Sequence, residues 1–226
     1  MHDNKTDSIL NIAWWKWLCI VLLLSTFFWG FLVPVPRLPI LHESIRNLFF
    51  HVTIWFAMII LMTCSLVYGI KYLRTNNIDF DIKAEKYTVT GIFLGIIGLI
   101  TGSIWAKNTW GAWWINDAKL NGAAAAMLVY LAYIVLRGSI DDETKRARIS
   151  SVYGIFSFVM MLVFIMILPR LTVSLHPGNG GNPGFNAYDL DNTMRKLFYP
   201  AIIAQTLLGV WITEILVRIQ RLTNKE

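Results

Sequence analysis

Apolar residues in this chain do not alternate with polar ones. They gather into long runs, and a helix that crosses the hydrocarbon core of a bilayer needs about 20 mostly apolar residues in succession. Six runs meet that demand: Trp14 to Val33, Leu48 to Ile70, Tyr87 to Ala106, Leu120 to Leu136, Ile149 to Pro169 and Leu197 to Val217, the fourth being the shortest. An open sheet cannot satisfy its backbone in lipid, so the runs predict an all-α integral membrane protein, a bundle of six transmembrane helices. Gly91, Gly95, Gly98 and Gly102 fall close to one face of the third run, the small-residue pattern that lets a neighbouring helix approach. No repeat, low-complexity tract or second domain interrupts the pattern, and residues 1–226 read as one polytopic membrane domain.

Composition agrees with the pattern. Of the 226 residues 56% are hydrophobic and only 15% charged, and the mean hydropathy is +0.54, more apolar surface than water tolerates. Lys5 and Lys16 precede an apolar stretch as in a signal peptide, but the stretch runs on to Val33 without a small-residue cleavage site and is expected to stay within a retained first span. Cys19 and Cys64 both lie inside apolar runs and form no CxxC pair, which points to neither disulfides nor thiolate metal chemistry.

The net charge of +6 raises the question of nucleic acid, but the basic residues sit in short loops between apolar runs and not in one patch. With both termini on one side, that side collects Lys5, Lys16, Lys71, Arg74, Lys83, Lys86, Arg137, Lys145, Arg146, Arg148, Arg218, Arg221 and Lys225. The other side has Arg37, Arg46, Lys107, Lys119, Arg170, Arg195 and Lys196. The positive-inside rule then makes the termini cytoplasmic and turns the loops 34–47, 107–119 and 170–196 outward. The inner loops, such as "RGSIDDETKRARIS", are short and charged. The outer ones differ in kind: one proline-rich, one tryptophan-rich, and one long and rich in glycine and asparagine. Chemistry is expected on the outer face.

His51, near the outer end of the second run, and His176, just past the outer end of the fifth, are distant in sequence but at the same membrane depth. A single histidine near a helix end is ordinarily a hydrogen-bonded interfacial residue; two at one face become candidate ligands, imidazole being a common ligand for metals including haem iron. His42 lies in the first outer loop and His2 at the N-terminus on the other side. Trp105, Trp110, Trp113 and Trp114 stand near them in "WGAWWINDAKL" and its approach. Interfacial tryptophans form aromatic belts, which would account for Trp14, Trp15, Trp17, Trp29, Trp55 and Trp211. Three within five residues make a local platform instead, able to stack on a conjugated macrocycle for about 0.5–1.5 kcal/mol per contact. Arg46, Lys119, Arg170, Arg195 and Lys196 can either neutralise haem propionates or snorkel to headgroups. Asp117 can cap the helix beginning near Leu120 or orient a neighbour.

The sequence has no P-loop, so coupling to ATP would need another subunit, and no G-x-S-x-G, H-E-x-x-H or C-x-x-C-H. "TGSIWAKNTWGAWWINDAKL", Thr101 to Leu120, resembles the tryptophan-rich (WWD) signature of the haem-handling proteins of cytochrome c assembly. The chain's size, spans and outward histidines look like the haem exporter protein C (CcmC) family of the system I maturation pathway. That resemblance covers almost the whole chain. It implies that His51 and His176 are axial ligands of a non-covalent haem b, and that Trp110, Gly111, Trp113, Trp114 and Asp117 form the platform. It also implies that haem is received at the outer, periplasmic face of a bacterial inner membrane with an ATP-binding cassette (ABC) partner, an ATPase with its membrane subunits. The haem is then presented to a membrane-anchored haem chaperone, which forms the covalent bond. The chain departs from the family pattern at Asn116, where another tryptophan is usual, at Lys119, where arginine is frequent, and at Asn108, where proline is.

A binding and delivery module is therefore the leading expectation, with no catalytic residues of its own. A membrane b-type electron-transfer protein would place histidines deep within facing helices, and a permease would place broken helices and polar groups near the midplane.

Overall fold

The computed structural model describes residues 13–39, 41–176, 185 and 190–224. His2, Lys5 and Lys225 lie outside the described residues, as does most of 177–189. Every regular element among the described residues is helical. They are α1 (Trp14–Leu32), a 3-10 helix (His42–Phe49), α2 (His51–Thr75), α3 (Ile78–Trp110), α4 (Ala118–Gly138) and α5 (Glu143–Leu162). A π turn (Val163–Ile167), α6 (Leu168–Leu171) and α7 (Asn192–Thr223) complete the order. Among the described residues six helical stretches are long and apolar enough to cross a membrane, with α5, the π turn and α6 forming one of them. The chain is a multi-pass membrane protein.

Local chemistry sets the boundaries. Pro34 holds Val33 extended (φ −61°, ψ 137°) and stops α1. Asn76, left-handed at φ 52°, ends α2, and the side chain of Asn77 caps α3 by accepting from Asp79 N–H at 3.0 Å. Two asparagines thus make the α2–α3 turn. Gly111 at φ 81° closes α3 in the left-handed conformation that glycine enters without strain. The helices run beyond the apolar stretches mostly at their charged ends, as in Ile78–Lys86 of α3 and Glu143–Arg148 of α5.

α2 is the central helix, packed on α3, α5 and α7. Its Ala57, Met58, Leu61 and Met62 are fully buried in a cluster with Leu94, Met127, Tyr130 and Met161. The glycines of α3 make this contact close: a Cβ at Gly91 would overlap Met62, one at Gly98 would overlap Trp55, and one at Gly102 would stand 2.7 Å from His51 Cε1. The glycine face therefore sets how deeply α2 lies against α3, and with it the position of His51.

At the end of the bundle holding the α2–α3 and α4–α5 turns, Arg137 is 8% exposed. It donates to both oxygens of Asp81 at 2.9 and 2.6 Å and to Glu85 at 3.3 Å. A residue counted by sequence as a loop charge is thus a buried fork joining α4 to α3. Lys16 of α1 meets Glu214 of α7 at 3.1 Å, and Lys16 also lies over the rings of Trp15 and Trp211.

Candidate functional site: a cleft between two histidines

At the opposite end, the 3-10 helix, the α3–α4 connection and the segment after α6 converge on one cleft. Its floor is apolar, formed by Ile59 of α2, Leu99 of α3, Ala123 of α4 and Ile165 of the π turn. Pro169 has no N–H to give Ile165, and the widened π turn precedes it. Gly122 lets α4 lie against the Phe164 carbonyl oxygen, which a side chain there would overlap. Both His51 and His176 line this cleft, so the fold brings together two histidines that are 125 residues apart in sequence.

His51 is the first residue of α2. Its Nδ1 is 3.0 Å from Thr101 Oγ1 of α3, its ring lies on Gly102, and Trp55, one turn further along α2, meets it edge-on with centroids 6.3 Å apart. Thr101 Oγ1 is also 2.8 Å from the Ile97 carbonyl oxygen and 3.1 Å from that of Gly98.

His176 is held from the other side. Its Nδ1 is 3.1 Å from Asp117 Oδ1, Trp110 meets its ring edge-on at 4.7 Å, and Trp105 lies tilted at 5.6 Å. Asp117, 5% exposed, performs both tasks open to it from sequence. It caps α4 by accepting from Lys119 N–H at 2.9 Å. It also clips the segment after α6, accepting from Ser174 Oγ–H at 3.1 and 2.9 Å and from Leu175 N–H at 2.9 Å. Burial by itself would raise the Asp117 carboxyl. The His176, Leu175, Ser174 and Lys119 hydrogen bonds outweigh it and hold the group well below the usual carboxylate range. An ionised carboxylate only accepts, so the His176 Nδ1 is the donor.

The other residues singled out by sequence fall in different places. Trp114, 43% exposed, lines the cleft and donates its Nε1–H to Asn121 Oδ1 at 3.2 Å; Asn121 in turn donates to Asn116 at 2.7 Å. Trp110 stands behind His176 and edge-on to Trp105 at 4.9 Å. Trp113 is 59% exposed, and its carbonyl accepts from Ser103 Oγ–H at 2.6 Å. Gly111 makes the turn between Trp110 and these two, its carbonyl accepting from Lys107 Nζ at 2.9 Å.

Lys119 and Arg170 line the cleft, and Arg170 also donates to the Met166 carbonyl at 3.0 Å. Arg46 does not face it. Its guanidinium donates to the carbonyls of Gly30 at 3.1 Å and Val33 at 2.6 Å, at the end of α1, and to Glu43 at 2.7 Å. Arg195 likewise donates to the Leu190 and Phe185 carbonyls, both at 2.9 Å.

Four contributors were not assigned to the site by sequence: Trp55, Trp105, Thr101 and Ser174. Trp55 was legible as the residue four after His51, on the same helix face. Trp105 opens the tryptophan-rich stretch, and its Nε1–H ties α3 to the 3-10 helix through the Ser44 carbonyl at 3.2 Å. Thr101 precedes a glycine of the packing face. Ser174 carries no local signal.

The sequence model of the family described as "Heme exporter protein C" matches residues 5–225. The chain is 26% identical over 150 residues to "Heme exporter protein C" of Paracoccus denitrificans (strain Pd 1222), covering 66% of this chain and 61% of that one. It is 31% identical over 94 residues to "Cytochrome c biogenesis protein CcsA" of Prochlorococcus marinus (strain NATL1A), covering 42% of this chain and 30% of the relative. For the CcsA protein of strain MIT 9303 it is 33% identical over 100 residues, 44% of this chain and 31% of the other. The chain thus spans about three fifths of the first relative and less than a third of these two. With a family match along almost its whole length, the chain belongs to the haem exporter protein C family.

Proposed function

We propose that this protein holds haem b non-covalently between His51 and His176 at the periplasmic face of a bacterial inner membrane, and hands it to the haem chaperone of cytochrome c maturation. The observation that carries this reading is one apolar cleft lined by two histidines, each with Nδ1 engaged by the protein. Two imidazoles are an incomplete set for a bare zinc or copper ion but a complete axial set for haem iron, whose macrocycle supplies the other four nitrogens. The remaining lining fits the same guest. Trp55, Trp105 and Trp114 offer aromatic surface, the floor is apolar, and Lys119 and Arg170 bring positive charge suited to two propionates.

Haem supplies a flat apolar face, two carboxylates and an iron open at both axial positions. The chain's own residues bind and orient it; no step here requires a catalytic group. Release needs access, and Trp113, Leu171, Val173 and Leu175 stand exposed around this end of the chain, the kind of apolar and aromatic surface that anchors a partner. ATP hydrolysis would come from the ABC-type ATPase and its membrane subunits. A membrane b-type electron-transfer protein is the second reading, favoured by paired histidines but not by a site at the end of the bundle beside exposed tryptophans.

The test is purification from haem-replete cells with an absorption spectrum and a pyridine haemochrome assay, repeated for His51→Ala, His176→Ala and the Trp113→Ala/Trp114→Ala pair. Haem in the parent, weakened or spectrally altered in each variant, is expected. A folded parent without haem, or a spectrum indifferent to both histidines, would sink the reading.

A further inference from the structure

Thr101 is a buried-side neighbour of His51 that neither the tryptophan-rich loop nor the histidine pair requires. Its hydroxyl has one proton and three neighbours. Two of these, the Ile97 and Gly98 carbonyl oxygens at 2.8 and 3.1 Å, can only accept. Both carbonyls draw the proton towards the backbone, which turns the hydroxyl oxygen to the third neighbour, His51 Nδ1 at 3.0 Å, as an acceptor, beside the Gly98 carbonyl, which also accepts from the His51 ring. That contact requires a proton on Nδ1 and leaves the lone pair of a neutral ring on Nε2. The Cε1 edge of the ring lies close against Gly102, where a Cβ would stand 2.7 Å from His51 Cε1 and 3.4 Å from Nε2. The neighbouring residues Thr101 and Gly102 of one α3 turn thus settle both the tautomer and the tilt of a ring carried by α2.

We infer that Thr101 is a positioning residue for haem: it holds His51 in the Nδ1–H tautomer, so that Nε2 is the nitrogen presented to iron. The inference rests on the haem reading above, but the tautomer it specifies exists in the haem-free protein and is measurable there. A ligating histidine whose other nitrogen loses its acceptor typically costs 10–100-fold in metal affinity. Thr101→Val keeps the branched shape and removes the hydroxyl, its acceptor oxygen and its proton together, whereas Thr101→Ser keeps the hydroxyl.

The experiment is 15N NMR of histidine-labelled, haem-free protein in lipid nanodiscs, with the His51→Ala spectrum assigning the His51 signals, followed by haem titration of the same samples. The parent and Thr101→Ser should show a protonated Nδ1 and a lone-pair Nε2 at His51. Thr101→Val should lose that single tautomer, bind haem about tenfold or more weakly, and show a larger high-spin fraction. A purely structural role for Thr101 would lower thermal stability without moving the tautomer or the spin state. An Nδ1–H tautomer retained in Thr101→Val, or unchanged haem affinity and spin state, would overturn the inference. A tautomer that follows Thr101 in a parent that takes up no haem would sink the haem reading and leave Thr101 as the residue that orients His51.

Discussion

Replacing Asp117 by asparagine separates the capping task from the clipping task. Asparagine caps helices as well as aspartate, so the bond from Lys119 N–H to one side-chain oxygen survives. The second oxygen becomes an NH₂ group facing the Leu175 N–H, 2.9 Å away, and the Ser174 hydroxyl, which can turn. His176 loses an ionised acceptor. Hydrogen bonds to charged groups contribute about 1.5–3 kcal/mol each, and a buried donor left unpaired costs a similar amount, so the variant should lose about 2–4 kcal/mol. For a chain of this size that corresponds to a fall in Tm of roughly 5–15 °C.

The loss should depend on pH in a set direction. The folded Asp117 pKa is depressed, so in acid the unfolded chain binds more protons than the folded one and stability rises with pH. The contribution is complete above the unfolded carboxylate value of about 3.9 and is lost as pH falls towards the folded value. Thermal unfolding of haem-free parent and Asp117→Asn protein in detergent, followed by tryptophan fluorescence, should show a gap at neutral pH that narrows below about pH 4. Equal Tm values at neutral pH, or a gap that persists undiminished in acid, would refute the assignment of Asp117 as an ionised clip.

Three further outcomes are expected. Gly122→Ala should destabilise by about 1–3 kcal/mol or more, since its Cβ would meet the Phe164 backbone carbonyl and not a side chain able to swing away; Tm and the haem spectrum measure the damage to the cleft floor. Arg137→Ala should cost about 3–5 kcal/mol by leaving the Asp81 carboxylate buried and unpaired, while Arg137→Leu with Asp81→Leu should recover much of it, as a denaturation series on the two variants would show. Arg46→Ala should destabilise by about 1–3 kcal/mol through the uncapped Gly30 and Val33 carbonyls, read as a lower Tm, and leave haem affinity unchanged in titration, because its guanidinium is committed to α1 and not to the cleft.

The sequence by itself determined the six apolar helices, because lipid demands length and hydrophobicity and both are written residue by residue. It also carried the end of the first span at Pro34, a local backbone matter, and offered Asp117 as either a cap or an orienting group. It singled out His51, His176 and the tryptophan-rich stretch as exceptional chemistry for a membrane chain. Only the tertiary structure decided which of those residues share a cleft. Arg46 and Arg170 are equal candidates for a carboxylate partner by composition, yet one is committed to α1 carbonyls and the other lines the cleft. Trp55 reads as an interfacial tryptophan until Gly98 lets α2 sink against α3 and brings its ring beside His51. Arg137 reads as a loop charge until α3 presents Asp81 to it. Each of these outcomes depends on how one helix packs against another, and no local pattern of spacing or polarity encodes which side chain of a different element a given donor will meet.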